Sequence, residues 1–208
     1  MIPKSPITAL TGERLPGIGH NQGPPLDTGH SWRKHVWTRA RKQLLPRLPL
    51  EVIRRRVARA KELGLEYPAY ASILLGTGRD IVGFLFTCDA LGLRLEKSID
   101  LPAPVAAKLS EVKARHLLAA DQPADLNHVA RHLAIEHHLA IAGTTALPDP
   151  ATAPWTAGRA AIRAALDPLK LPSDTIVMVG TRAHERDWAD AARLAKFLPA
   201  ESYFPGHR

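Results

Sequence analysis

The sequence predicts a helix-rich α/β fold with a small, mostly parallel sheet, preceded by a pair of basic helices. From residue 70 onward, short apolar runs alternate with segments of helical spacing, which is the pattern of βα units. The run 175–180 is rich in β-branched residues and lacks helical periodicity. With 208 residues and 45% apolar content, the chain is long enough to bury a substantial core.

The first 29 residues contain five prolines and five glycines. A segment of this composition buries too little apolar surface to offset the entropy lost on ordering. We therefore expect a disordered tail over residues 1–29, a basic helical pair over 30–66 and an α/β domain over 67–208.

The basic helical pair is framed by capping and breaking residues. Ser31 is a good N-cap for a first helix that Pro46 ends, and Pro49 opens a second helix that Gly64 ends. Residues 32–61 hold eleven Lys and Arg residues against one acid, Glu51.

This excess of positive charge is the strongest functional signal in the sequence. A basic helical face is suited to the phosphate backbone of DNA or RNA, so we predict a nucleic-acid-binding accessory or regulatory protein. A solvated charged face, or the docking of an acidic partner protein, stay open as alternatives. The residues expected to contact phosphates are Arg33, Lys34, Arg41, Lys42, Arg54, Arg55, Arg56 and Arg59.

The α/β domain is predicted from alternating strand and helix patterns. Candidate strands are 71–75, 81–87, 116–119, 139–142 and 175–180, and candidate helices are 104–113, 125–137, 155–169 and 183–198. Residues 79–91 are ambiguous, because Thr77 and Asp80 form a capping-box pattern and Gly92 is a helix stop. We prefer a strand there.

A second candidate site follows from the predicted sheet. In open parallel sheets, ligands bind outside the carboxyl ends of the strands. The residues that follow three candidate strands would converge there and could hold a small phosphorylated ligand, with Asp80 or Asp89 as a general base or magnesium ligand. The alternative is structural: a helix-capping Asp80 and a solvated Arg182. The residues of this site are Arg79, Asp80, Asp89, Thr181 and Arg182.

Two segments resemble known proteins. Residues 178–188, MVGTRAHERDW, resemble the late βα unit of haloacid-dehalogenase-type phosphatases, which implies a related fold. An acid is expected where Thr181 stands, and the paired-aspartate motif of that family is missing upstream, so no catalytic residue carries over. Residues 17–25, GIGHNQGPP, resemble an N-terminal signature of uncharacterised alphaproteobacterial proteins, some of them borne by phages or plasmids. That resemblance implies a bacterial intracellular protein and no particular activity.

Several other functions find little support in the sequence. The motif at Gly76 is not a G-x-G-x-x-G loop, so we predict no cofactor. His128, His132 and Glu136 recur every four residues, but a single ion does not fit all three, and we predict no metal. We expect a cytoplasmic protein without a membrane span, because charges interrupt the most apolar stretch and the one cysteine, Cys88, allows no intrachain disulfide. The sequence leaves open whether the protein is an enzyme.

Overall fold

The structure, a computed structural model, describes residues 48–93, 99–120 and 125–206. Helices and strands alternate along most of this part of the chain, as the sequence predicts. The helices are α1 (Leu50–Glu62), α2 (Tyr67–Thr77), α3 (Ala103–Glu111), α4 (Leu126–Glu136), α5 (Trp155–Leu166), α6 (Ala183–Ala191) and the short α7 (Ala200–Tyr203). The strands are β1 (Gly83–Thr87), β2 (Arg115–Ala120), β3 (Ile141–Ala146), β4 (Ile176–Gly180) and β5 (Lys196–Pro199).

The five strands form one parallel sheet in the order β3-β2-β1-β4-β5. β1 lies at the centre, with Gly83 in register with Arg115 of β2 and with Ile176 of β4. Every residue of β1 and β4 is buried, as expected for central strands of a sheet covered on both faces. The predicted α/β class is therefore confirmed.

Helices cover the two faces of the sheet unequally. On one face, Phe84 and Phe86 of β1 pack in a core with buried residues of α1, α2, α3, α4 and α7. On the other face, Leu85 packs in a second core with α5 and α6. Because side chains alternate along β1, this strand contributes residues to both cores.

The described residues from 49 onward form one compact unit, which begins just before α1. Ala60 of α1 and Leu63, which follows the helix, are buried in the first core, and the Tyr203 hydroxyl donates a 2.9 Å hydrogen bond to the Leu63 carbonyl. The tail and the first helix of the predicted pair lie outside the described residues. In the described part of the chain, no helix is both long and apolar enough to traverse a bilayer.

Two predicted elements are wrong. The candidate strand 71–75 lies inside helix α2, where Pro68 occupies the first turn and Gly78 ends the helix with a positive φ of 70°. The predicted helix 183–198 is too long: α6 ends at Ala191, Arg193 adopts a positive φ of 57°, and the chain then forms β5. The ambiguous segment 79–91 contains strand β1, as preferred from the sequence.

Candidate functional site

The strand order places a crevice between the carboxyl ends of β1 and β4. The chain proceeds from β1 through β2 to β3 on one side of the sheet, and then crosses to β4 on the other side of β1. At such a switch in strand order, the loops leave in opposite directions and open a binding crevice. The residues that follow Thr87 and Gly180 line this position.

An ion pair joins the two sides of the crevice. Arg182 Nη2, just beyond β4, donates to Asp89 Oδ2, just beyond β1, at 2.5 Å. The two side chains are 44% and 45% exposed, so the pair lies at the surface and is accessible to a solute. The structure thus brings together the predicted residues Asp89, Thr181 and Arg182.

The backbone amides at the start of α6 are bound by a carboxylate of the protein itself. Glu185 Oε2 accepts hydrogen bonds from the amide of Thr181 at 2.7 Å and from that of Arg182 at 2.9 Å, and Glu185 is completely buried. Gly180 permits this contact, because a Cβ there would lie 2.2 Å from Glu185 Oε2. These two amides, which would otherwise attract an external anion, are therefore occupied.

A cleft of about 360 Å³ adjoins the ion pair beside the ends of β4 and β5. Its lining includes Thr181 and two guanidinium groups, those of Arg182 and Arg186. The Arg186 guanidinium carbon lies 5.2 Å from the centroid of the Phe197 ring, a cation–π arrangement. The carboxylates of Asp187 and Glu201 also line the cleft. The cleft therefore offers both cationic donors and anionic acceptors.

The other residues at the end of β1 are built into its turn. Thr87 is buried, and its Oγ1 accepts a hydrogen bond from the Ala90 amide at 3.2 Å. Cys88 is also buried, and its amide donates to the Ala119 carbonyl at 2.8 Å. Of the three residues 87–89, Asp89 presents the exposed side chain.

Arg79 and Asp80 do not belong to this site, which corrects the expectation from the sequence. Because residues 67–77 form a helix, Arg79 and Asp80 precede β1 and lie at the amino end of the sheet. Arg79 pairs there with Asp174, which precedes β4, at 3.3 Å.

Asp80 instead anchors α1 through Arg59. Arg59 Nε donates to Asp80 Oδ2 at 2.9 Å, and its terminal nitrogens donate to the Ile81 carbonyl and to Glu62. The Tyr70 hydroxyl donates to Asp80 Oδ1 at 2.9 Å. Burial, together with this hydrogen bond to Asp80, raises the pKa of Tyr70 to about 12. We call Arg59, Tyr70, Asp80 and Glu62 the amino-edge network.

The remaining arginines predicted to bind nucleic acid are only partly described. Arg54 and Arg55 are exposed on α1 and Arg56 is half-buried, with Arg54 Nη1 paired to Glu51 at 2.8 Å. Arg59 faces the protein rather than solvent, because its donors are used by the amino-edge network. The other four predicted contacts, Arg33, Lys34, Arg41 and Lys42, lie outside the described residues.

The histidines on and just after α4 are the remaining candidate metal ligands from the sequence. Within residues 48–93, 99–120 and 125–206, no group of three or more His, Cys, Asp and Glu side chains is arranged to hold an ion. His132 and His137 are neighbours, with ring centroids 6.5 Å apart. His137 Nε2 accepts a hydrogen bond of 3.4 Å from the Leu101 amide, which ties it to the loop before α3.

Comparison with known proteins adds little to this picture. No protein-family model matches the chain, and no curated protein matches it either. One solved structure is similar, the NMR structure of the core domain of a putative phosphoglycolate phosphatase from Streptococcus pneumoniae TIGR4. The two chains share 18% identity, with 62% of this chain and 88% of that chain covered and a TM-score of 0.38. Similarity of this extent does not establish a shared function.

Sequence reasoning missed Glu185 and Arg186. The spacing of Glu185, three residues after Arg182, matches the acidic half of a capping box, and in the structure the Glu185 carboxylate accepts a hydrogen bond from the Arg182 amide. No local pattern indicates Arg186, because its place in the cleft depends on β5, which the sequence analysis took as part of a helix.

Proposed function

We propose that the protein binds a small phosphorylated ligand in the crevice between the carboxyl ends of β1 and β4. The observation that carries this proposal is the exposed Asp89–Arg182 ion pair, which lies at the switch in strand order and borders the cleft. A guanidinium group in this position matches the geometry of phosphate oxygens.

Binding would exchange one partner of Arg182 for another. The ligand phosphate would accept hydrogen bonds from Arg182, and Asp89 would rotate towards solvent, which its exposure permits. Arg186 would supply a second positive charge from the first turns of α6. The amides of Thr181 and Arg182 would stay with Glu185, so recognition would depend on side chains.

The geometry favours binding or sensing over group transfer. A nucleophile at the end of β1 would have to reach the ligand, yet Thr87 and Cys88 are buried in the turn. Asp89 is the carboxylate that faces the crevice, and it could act on a ligand as a general base or as a ligand for Mg²⁺. Catalysis on such a ligand would therefore depend on Asp89 or on the carboxylates of the adjoining cleft, Asp187 and Glu201.

Thermal unfolding in the presence of inorganic phosphate, sugar phosphates and nucleotides tests the proposal. A ligand at about 100 times its dissociation constant stabilises the folded state by about 2.7 kcal/mol, which raises the melting temperature. Arg182→Gln should abolish the shift, and Arg159→Gln, at an exposed position on α5, is the matched control. Without Mg²⁺, Asp89→Asn should strengthen binding, because it removes the competing carboxylate. Lack of any response to the panel, or an equal response of the Arg182 variant, would refute the proposal.

We propose nucleic-acid association as a second function, supported by the three consecutive arginines of α1. Arg54 and Arg55 are exposed, and an ion pair with Glu51 neutralises only one of the three charges. Contacts of this kind would bind phosphates and read no sequence.

Gel shifts with random DNA and RNA at increasing salt test this second function. Replacing Arg54, Arg55 and Arg56 together by glutamine should weaken binding and flatten its salt dependence. The matched control removes three exposed charges elsewhere, at Arg131, Arg159 and Lys196. Equal loss in both variants would contradict a specific role for α1. Retention on polyglutamate without retention on nucleic acid would instead indicate an acidic protein partner.

A further inference from the structure

The charges that line the cleft beside the ends of β4 and β5 cancel one another. The cleft has two cationic residues, Arg182 and Arg186, and two anionic residues, Asp187 and Glu201. A ligand that carries negative charge alone would be attracted by the arginines and repelled by the carboxylates. The carboxylates therefore constrain the rest of a phosphorylated ligand as strongly as the arginines constrain its phosphate.

The two carboxylates of the cleft are not engaged by other side chains that the structure describes. In that part of the chain, neither Asp187 nor Glu201 forms an ion pair or a side-chain hydrogen bond, and both residues are exposed. Asp89, the carboxylate on the other side of the crevice, is paired with Arg182. Asp187 and Glu201 are thus available to a ligand, and a ligand would not have to displace a partner from them.

The chain around Glu201 is attached firmly to the core. Tyr203, two residues further on, is buried, and its hydroxyl donates to the Leu63 carbonyl at 2.9 Å. Lys108 Nζ donates to the Tyr203 carbonyl and lies 4.0 Å from the centroid of the Tyr203 ring. Because this backbone is already fixed, a ligand that binds Glu201 would not have to order it.

The register of β4 and β5 places Glu201 beside Arg182. Gly180 of β4 is in register with Pro199 of β5, so each of the two charged residues is the second one after the end of its strand. Neighbouring strands are about 4.8 Å apart. Arg182 pairs with Asp89 on the β1 side of β4, whereas Glu201 follows β5 on the opposite side. The cleft therefore presents positive and negative groups from neighbouring strand ends, a short distance apart.

Part of the remaining wall of the cleft is apolar. The Phe197 ring contacts Arg186 and also lies against Gly180, where a Cβ would be 2.8 Å from Phe197 Cε2. Pro199 adds a second apolar surface. Such surfaces give no hydrogen bonds to hydroxyl groups, so they suit a short hydrocarbon linker better than a polyol.

We propose that the ligand is a small phosphorylated amine, with its phosphate on the two arginines and its ammonium group on Asp187 and Glu201. This inference rests on the proposed function, because phosphate binding at Arg182 is its first half. A zwitterion satisfies both pairs of charges, whereas a simple phosphate ester leaves the carboxylates uncompensated. The linker is short, since a cleft of about 360 Å³ is near the lower end of small-molecule sites, about 300–1,000 Å³.

Calorimetric titration with matched compounds tests the proposal. O-phosphoethanolamine carries a phosphate and an ammonium group, ethyl phosphate has the same carbons without the amine, and glycerol phosphate has hydroxyls instead. The wild type should bind O-phosphoethanolamine about tenfold more tightly than ethyl phosphate, as expected of one charge-assisted hydrogen bond. In the double variant Asp187→Asn/Glu201→Gln, this preference should disappear and ethyl phosphate should bind more tightly, because the repulsion is removed. Asp190→Asn, an exposed acid of α6 outside the cleft lining, is the matched control and should keep the preference.

The outcomes separate this inference from the proposed function. Equal binding of O-phosphoethanolamine and ethyl phosphate, with both lost in Arg182→Gln, would overturn the amine and leave phosphate binding intact. Binding of none of the compounds would overturn both proposals. Tighter binding of glycerol phosphate, or a preference that persists in the double variant, would also overturn the amine assignment.

A phospholipid headgroup can carry the same two charged groups, so vesicles form a separate arm of the experiment. Vesicles of phosphatidylethanolamine and phosphatidylcholine are compared with vesicles of phosphatidylcholine alone in a flotation assay. Binding of O-phosphoethanolamine without flotation supports a free ligand. Flotation with phosphatidylethanolamine, without binding of the soluble compound, would overturn the assignment to a small free ligand.

Discussion

Arg182 donates a hydrogen bond to Asp89 although the two residues are 93 positions apart in the chain. The distance between Arg182 Nη2 and Asp89 Oδ2 is 2.5 Å. The pair forms because β1 and β4 are adjacent and parallel, so the residues that follow them leave the sheet at the same edge. Each partner thereby holds the other at the position where a ligand would bind.

The Asp89–Arg182 pair should contribute little to stability. Both side chains are nearly half exposed, and ion pairs of this kind contribute about 0–1 kcal/mol. A double-mutant cycle with Asp89→Asn and Arg182→Gln, measured by urea unfolding, should give a coupling energy below about 1 kcal/mol. A much larger coupling would mean that the pair serves the fold, which would weaken its assignment to ligand binding.

Glu185 should be important for stability, in contrast to Arg182. Glu185→Ala would leave the part-buried amides of Thr181 and Arg182 without their acceptor, at a cost of about 2–4 kcal/mol. Glu185→Gln retains an acceptor oxygen and should cost less. Urea unfolding of both variants checks the prediction, and equal losses would indicate that the charge, rather than the hydrogen bonds, is what stabilises the turn.

Gly158 should not tolerate alanine. A Cβ at this position of α5 would lie 2.2 Å from Cγ of Trp188, a buried residue of α6. Alanine is favoured over glycine by about 1 kcal/mol in a helix, but overpacking costs about 1–3 kcal/mol. We therefore expect a net loss of melting temperature in Gly158→Ala. Combining it with Trp188→Leu should give less than the sum of the two losses, and strict additivity would show that the contact is not responsible.

His116 should make the protein sensitive to mild acid. It is buried on β2, and burial lowers its pKa below the ordinary value of 6.5. The unfolded chain then takes up a proton as pH falls through 6.5, whereas the folded chain does not, so stability is full above that pH and is lost below it. His116→Leu should flatten the fall in unfolding free energy between pH 7 and pH 5. His128→Leu, at an exposed position of α4, is the control, and a parallel change in both variants would contradict the assignment.

The amino-edge network should stabilise the attachment of α1. Tyr70→Phe removes one hydrogen bond to Asp80, for an expected loss of about 1 kcal/mol. Asp80→Asn should cost more, because it also weakens the contact with Arg59. Calorimetry measures both effects. Tyr67→Phe, on the same helix, is the control, and a loss as large as that of Tyr70→Phe would count against this account.

The sequence predicted β4 well, because its signal is local, whereas the segment of the central strand β1 was ambiguous between strand and helix. The run 175–180 is apolar and β-branched, and the structure places β4 there. The edge strand β5 has four residues, KFLP, and its pairing with β4 cannot be read from so short a segment. Because the predicted helix included most of β5, the sequence analysis could not place Arg186 in the cleft beside that strand.

Only part of the candidate site was predicted, because the place of each residue depended on a correct assignment of the strand before it. Asp89, Thr181 and Arg182 follow real strands and were placed at the correct edge. Asp80 was placed at the wrong edge, because residues 71–75 are apolar enough for either a strand or a buried helix, and only tertiary packing distinguishes the two. Whether any of these residues binds a ligand stays a prediction.

The amino-edge network and the Asp89–Arg182 pair lie at opposite ends of β1, separated by the length of one short strand. At the amino end, the network attaches helix α1 to the sheet. At the carboxyl end, the ion pair is exposed to solvent beside the cleft. A deep mutational scan should therefore separate two groups of positions: changes of the amino-edge network would reduce the amount of folded protein, whereas changes of the exposed Asp89 and Arg182 side chains would leave abundance intact and alter the proposed ligand binding. Such a division would allow the ligand preference to diverge among related chains without a loss of foldability.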